Sequence, residues 1–140
     1  MDSERQVRDL MSRQVKTLGL NDTLSVADSI MRSERIRHLP VLDEGGRVVG
    51  ILSQRDLFFS ALVRALGFGT SSRDRAFNAI LVKEVMTPDV VTTVAETLVK
   101  TAAQVMVDRK IGCLPVLDGE VLIGMLSESD VVLAVAKGTL

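Results

Sequence analysis

Residues 39–43 read Leu39-Pro40-Val41-Leu42-Asp43, and residues 114–118 repeat them as Leu114-Pro115-Val116-Leu117-Asp118. The match widens on both sides. Ala27–Asp43 and Ala102–Asp118 agree at 8 of 17 positions, displaced by 75. Upstream, Val7-Arg8-Asp9-Leu10-Met11-Ser12 returns at the same shift as Val82-Lys83-Glu84-Val85-Met86-Thr87. Downstream, Gly50-Ile51-Leu52-Ser53-Gln54-Arg55-Asp56 returns as Gly124-Met125-Leu126-Ser127-Glu128-Ser129-Asp130, after a turn one residue shorter. Similarity that keeps its order over two such stretches is an internal repeat. We place the first repeat at 7–66 and the second at 82–137. The segment 67–81 between them has no counterpart. Its Gly67, Gly69, Thr70, Ser71 and Ser72 read as a connecting loop.

Each repeat predicts the same elements. Val15–Leu18 and Val90–Thr93 read as short strands. A helix follows at about 23–33, with Leu24, Ala27, Ile30 and Met31 at helical spacing, and at about 96–108, with Leu98, Ala102, Val105 and Met106 inward. Leu39–Leu42 and Leu114–Leu117 are strands, and the proline at the second position of each suggests a sheet edge or a strand start. A tight turn, a second strand and a helix beginning at Ser53 or Ser127 complete the unit. The order β-α-β-β-α occurs twice, an α/β class with α+β character. A unit of about 55 residues is marginal alone, so the two are expected to share a core. The last helices, Leu57-Phe58-Phe59-Ser60-Ala61-Leu62-Val63 and Val131-Val132-Leu133-Ala134-Val135-Ala136, have little or no polar side and call for cover all round. A homodimer through these helices, with the short starts near Leu10 and Val85, follows as an expectation.

Composition narrows the function. The 140 residues are 46% apolar but only 3% aromatic, with four Phe and neither Trp nor Tyr. No apolar run approaches the roughly 18 residues of a membrane span, and no apolar stretch follows the N-terminus as in a secretory signal. Seventeen basic against eighteen acidic residues, net charge -1, is not the footprint of a nucleic-acid binder. One Cys and one His exclude a disulfide within the chain and a zinc site built from several such ligands. The lone cysteine fits a reducing, cytoplasmic setting.

Catalysis has no obvious machinery. His38 and Cys113 occupy the same slot, just before Leu-Pro-Val, without a nucleophile or orienting acid in a recognisable motif. They read as a strand-edge histidine and a half-buried thiol. No phosphate-binding glycine loop occurs. The pattern Gly-h-h-Ser-x-x-Asp, with h apolar, has two readings. Serine followed three residues later by an acid is a helix cap. The same geometry presents free N–H groups and a carboxylate that can accept bonds from a vicinal diol such as a ribose, with Gly50 and Gly124 letting a ligand approach the backbone.

The repeats resemble CBS domains, and the pair resembles a Bateman module, on Met-Ser/Thr at the start, Thr17 and Thr92 or Thr93 near the first strand, Leu-Pro-Val-Leu-Asp, and Gly-h-h-Ser-x-x-Asp. Arg13 departs from the family's Met-x-Pro, which Pro88 keeps. The resemblance implies two repeats about a pseudo-twofold axis with two ligand clefts between them. It implies a non-catalytic regulatory module that binds AMP, ADP or ATP, and less commonly S-adenosylmethionine or NAD, as a regulatory ligand and not an obligatory cofactor. Asp56 and Asp130 would hold the ribose. Ser53, Ser127, Ser129, Thr17, Thr92, Thr93 and the backbone at Pro40 and Pro115 would surround base and phosphate. Ile36, Val41, Ile51, Ile111, Val116 and Met125 would wall the adenine. Arg37 and His38 would reach the phosphate of an Asp130 ligand, unless they form a solvated basic edge with Arg32 and Arg35, and Arg55 would serve the Asp56 cleft. The competing expectation is a dimerisation or partner-docking module with empty sites.

Overall fold

A computed structural model describes residues 4–68 and 77–140, and for residues 61 and 63–68 the backbone alone. The chain forms two compact units that cut across the repeats: Lys16–Val90, and Met1–Val15 with Val91–Leu140. Among the described residues no helix is long and apolar enough to cross a membrane.

The unit Lys16–Val90 contains β1 (Leu18–Gly19), α2 (Leu24–Glu34), β2 (His38–Leu42), β3 (Val48–Ser53), α3 (Gln54–Phe68) and α4 (Val82–Val85). Its sheet runs β1-β2-β3, with β1 parallel and β3 antiparallel to β2. The other unit contains α1 (Val7–Leu10), α5 (Val99–Arg109), β4 (Cys113–Asp118), β5 (Val121–Ser127) and α6 (Glu128–Ala136), with β4 antiparallel to β5.

The first strand of each repeat is shorter than expected, and proline explains where it starts. Thr93 bridges Val116 in parallel, its N–H donating to the Pro115 carbonyl at 2.9 Å while the Leu117 N–H donates to Thr93 at 2.9 Å. The next bond back along the ladder would need an N–H on Pro115, and proline has none. Val41 pairs with Leu18 in the same relation, so β1 begins beyond the reach of Pro40 and not at Val15. Pro40 therefore does not mark an edge. Pro40 sits third in the middle strand, and its missing donor faces the place where β1 has not begun.

Helix α5 also starts later than its periodicity suggests, at Val99. The backbone just before it serves α1: the Val7 and Arg8 N–H groups donate to the Thr97 and Ala95 carbonyls at 2.8 and 3.0 Å. These are first-turn donors with no partner inside their own helix. In the other unit the Val82 and Lys83 N–H groups of α4 donate to Asp22 and Leu20 at 2.7 and 3.1 Å.

Each opening helix thus packs with the other repeat. Val7 and Met11 join a core with Ala102, Met106, Leu114 and Leu126, while Val82 joins one with Leu24, Leu39, Val41 and Leu52. Past each opening helix the chain edges a sheet. Thr87 exchanges two backbone bonds with Ile51 of β3, and Ser12 exchanges two with Met125 of β5. Leu10 and Val85, expected at a subunit interface, are partly buried against these cores. Of the expected connecting loop, 69–76 lies outside the described residues. Residues 77–79 are helical, and Phe77 and Ile80 belong to the core.

Candidate functional site

Strand alternation sorts the candidate residues onto two faces. Leu39, Val41 and Leu52 point into the core of their unit, and Leu114, Val116 and Leu126 do so in the other. Val41 and Val116 are 0% exposed, so they are core residues and not walls of an adenine pocket. On the opposite face His38 stands across from Ser53 and Pro40 from Ile51, as Cys113 stands across from Ser127 and Pro115 from Met125. The candidate surface is this second face.

The repeated glycines lie on the core face, and methionine takes their space. A Cβ on Gly50 would collide with the Met86 thioether. One on Gly124 would lie 2.6 Å from the Met11 sulfur and 2.9 Å from the Ser12 carbonyl oxygen. The glycines admit the exchanged segments, not a ligand. Both partners recur in the sequence, the methionines displaced by 75 and the glycines by 74, which is the signal that could have revealed the pairing.

Ser-x-x-Asp begins a helix in both units. The Asp56 N–H donates to Ser53 Oγ at 3.1 Å, and the Asp130 N–H donates to Ser127 Oγ at 3.3 Å. At Ser127 the carboxylate returns the bond, with the Ser127 N–H donating to Asp130 Oδ2 at 2.9 Å and the Ser127 hydroxyl to the same oxygen at 3.0 Å. The capping reading is therefore realised. Both of these bonds converge on Oδ2. Ser129 Oγ lies 3.0 Å from Ser127 Oγ. Asp56 and Asp130 are both half-buried.

In the unit Lys16–Val90 the hairpin end and the helix start make a hollow of about 220 Å³, lined by Arg37, His38, Ser53, Gln54, Arg55 and Phe58. The Gln54 N–H donates to the Arg37 carbonyl at 2.8 Å, which joins the residues before Leu39-Pro40-Val41 to the first turn of α3. Arg37 and His38 are expected at the phosphate of an Asp130 ligand. Within their own unit they share this hollow with Ser53 and Arg55, and Asp56, at the next position of the same helix turn, does not line it. Two guanidinium groups beside a helix N-terminus favour an anion. Gln54 and Phe58 are wall residues that sequence reasoning missed.

The corresponding corner of the other unit differs in charge. The Glu128 N–H donates to the Gly112 carbonyl at 3.0 Å, the same joint as Gln54 to Arg37. Here the flanking residues are Gly112, Cys113, Glu128 and Ser129. Burial pushes the Cys113 thiol up to about 12, and the nearby Glu128 charge adds to the rise. The thiol is held protonated, which removes it as a nucleophile.

The remaining candidates sit at the margins. Ile36 and Ile111 are half-buried just past the C-termini of α2 and α5. Thr17 and Thr93 are half-buried at or before the first strand, and Thr92 is exposed. Among the described residues no group of three His, Cys, Asp or Glu side chains could hold a metal.

Comparison with known proteins agrees with this architecture. The family model for the CBS domain matches residues 7–62 and again 82–137. The homoserine O-acetyltransferase of Methanohalophilus mahii is 32% identical over 95% of this chain, which spans only 25% of that protein. The CBS domain pair of protein MJ0100, solved with 5′-methylthioadenosine and S-adenosyl-L-methionine, superposes with a TM-score of 0.80 at 26% identity, covering 97% of this chain and 99% of that one. CBSX2 in complex with AMP superposes with a TM-score of 0.75 at 25% identity, covering 96% and 98%. With the family model satisfied twice, once by each repeat, the chain belongs to the CBS domain family as a CBS domain pair.

Proposed function

We propose that this chain is a regulatory module that binds adenosine-containing ligands and performs no chemistry on them. Each unit would use the hairpin face turned away from its own core and the Ser-x-x-Asp helix start. The observation that carries the reading is the carboxylate placement: a half-buried aspartate in the first turn of a helix, beside Ser53 or Ser127 on that face. At Asp130 the cap bonds converge on Oδ2, which leaves Oδ1 to accept from a ribose diol. Ile51 and Met125 on the same face supply an aliphatic wall for adenine, with no aromatic platform required. Two solved relatives bind AMP or methylthioadenosine and S-adenosylmethionine, and adenosine is the part these share. AMP, ADP and ATP are the first candidates here. Regulation then requires that two states of the protein bind the ligand differently.

The test is mass spectrometry of small molecules released from the purified protein, followed by calorimetry. An adenosine compound should be found, and Asp56→Ala or Asp130→Ala should each abolish one binding event. A protein that carries no such compound, and whose melting temperature no adenosine ligand raises, overturns the reading.

A second reading rests on the helices. Phe59, Val132 and Val135 are 68%, 66% and 61% exposed on helices that present few polar groups. They would serve a second copy of this chain, making a homodimer of cytoplasmic modules. Binding at neither site together with a stable dimer would favour this role alone.

A further inference from the structure

We propose that the two Ser-x-x-Asp sites sort their ligands by charge, the Asp56 site taking a phosphorylated nucleoside and the Asp130 site a nucleoside without phosphate. This rests on the adenosine-binding reading above and specifies the ligand class of each site. The two corners have the same backbone. In both, the N–H of the residue after the serine donates to the carbonyl of the residue two before Leu-Pro-Val. Only the side chains differ. Around Ser53 stand Arg37, His38, Gln54 and Arg55, all lining one hollow with Phe58. Around Ser127 the matching residues are Gly112, Cys113, Glu128 and Ser129.

One corner therefore carries two guanidinium groups and the other a carboxylate. The bond from the Glu128 N–H to the Gly112 carbonyl at 3.0 Å fixes Glu128 beside Cys113, which pairs with Ser127 across the hairpin. That thiol occupies the slot of His38, and Glu128 is one of the two causes that keep it protonated. A phosphate entering there would meet the like charge of Glu128. Arginine offers paired donors to phosphate oxygens at the other corner. A neutral or sulfonium nucleoside meets the opposite preference. Glu128 and Arg55 are exposed and leave the capping serines intact, so exchanging them tests charge and not folding.

The experiment is calorimetry on the full chain with AMP and the uncharged 5′-methylthioadenosine as probes. Asp130→Ala isolates the Asp56 site, and Asp56→Ala isolates the other. The Asp56 site should prefer AMP by about tenfold or more, the scale of one charge-assisted contact, and the Asp130 site should prefer methylthioadenosine. Transplanting the dipeptides, Gln54→Glu with Arg55→Ser in the first background and Glu128→Gln with Ser129→Arg in the second, should reverse each preference. The same order of preference in both backgrounds, or transplants that change neither, overturns charge sorting while leaving adenosine binding in place. Failure of both probes to bind in either background overturns the adenosine reading and this one with it.

Discussion

At Gly124 a single methyl group would meet two obstacles of different stiffness. The Met11 thioether can swing aside, but the Ser12 carbonyl belongs to backbone that is hydrogen-bonded to Met125. At Gly50 the nearest atoms all belong to the Met86 side chain. Gly124→Ala should therefore destabilise by about 1–3 kcal/mol, the usual range for overpacking, and Gly50→Ala by less. In denaturant melts, Met86→Ala should relieve the Gly50→Ala clash, whereas Met11→Ala should leave much of the Gly124→Ala cost. Equal costs at the two glycines would contradict this. Cys113 gives a second expectation at this scale. Its thiol is raised from the ordinary value near 9.0 to about 12 in the folded chain, so the folded state keeps a proton that the unfolded state releases. Stability from this group is complete below about pH 9 and is lost as pH rises toward 12. The stability gap between wild type and Cys113→Ala should narrow over that window. The repeat made these positions visible in the sequence. It did not show which way a glycine faces, because alternation has meaning only once the core face is known.

Elements end and begin where backbone chemistry requires. Helices α2 and α5 stop at Arg35 and Lys110, both left-handed at φ 55 and 56, and the next N–H reaches back to Met31 or Met106. That conformation costs a residue with a Cβ about 1–2 kcal/mol. Lys110→Gly should raise stability by up to about 1 kcal/mol, part of the relief being offset by the freer unfolded chain, as read from the denaturant midpoint. At the start of α6 the capping bonds predict that Ser127→Ala costs about 1 kcal/mol of stability. Asp130→Ala carries a similar cost through the same cap, so its binding data should be taken well below its melting temperature. Helix positions were legible from periodicity to within a few residues. The late start of α5 was not, because the backbone of Ala95 and Thr97 answers α1, which lies far away in sequence. The short first strands were half-legible: Pro40 and Pro115 announced a missing donor, but only the pairing showed which neighbour lacked it.

For the whole molecule, the repeat and the family fold were plain in the sequence, while the exchange of opening helices was hidden. Both copies of the opening motif look the same, and no periodicity says which sheet each will join. The apolar α3 and α6 faces call for cover, and Phe59, Val132 and Val135 remain exposed in the single chain. If a second copy covers them, Val132→Glu with Val135→Glu should convert a sedimenting dimer to a monomer and leave the circular dichroism spectrum unchanged. A wild-type chain that sediments as a monomer would contradict this.

The exchange also bears on synthesis. A growing chain that has emerged only through the first repeat holds α1 with nothing to pack on, and a first sheet still waiting for Val82 and Thr87. Ser12 finds Met125 only when the chain is nearly finished. The contiguous stretch 16–90 carries every part of its own unit, whereas a cut at the repeat boundary, 7–66, strands one helix and lacks another. A fragment of residues 16–90 should therefore melt more cooperatively than one of 7–66, and the gene's natural seam for dissection lies inside the repeats, not between them.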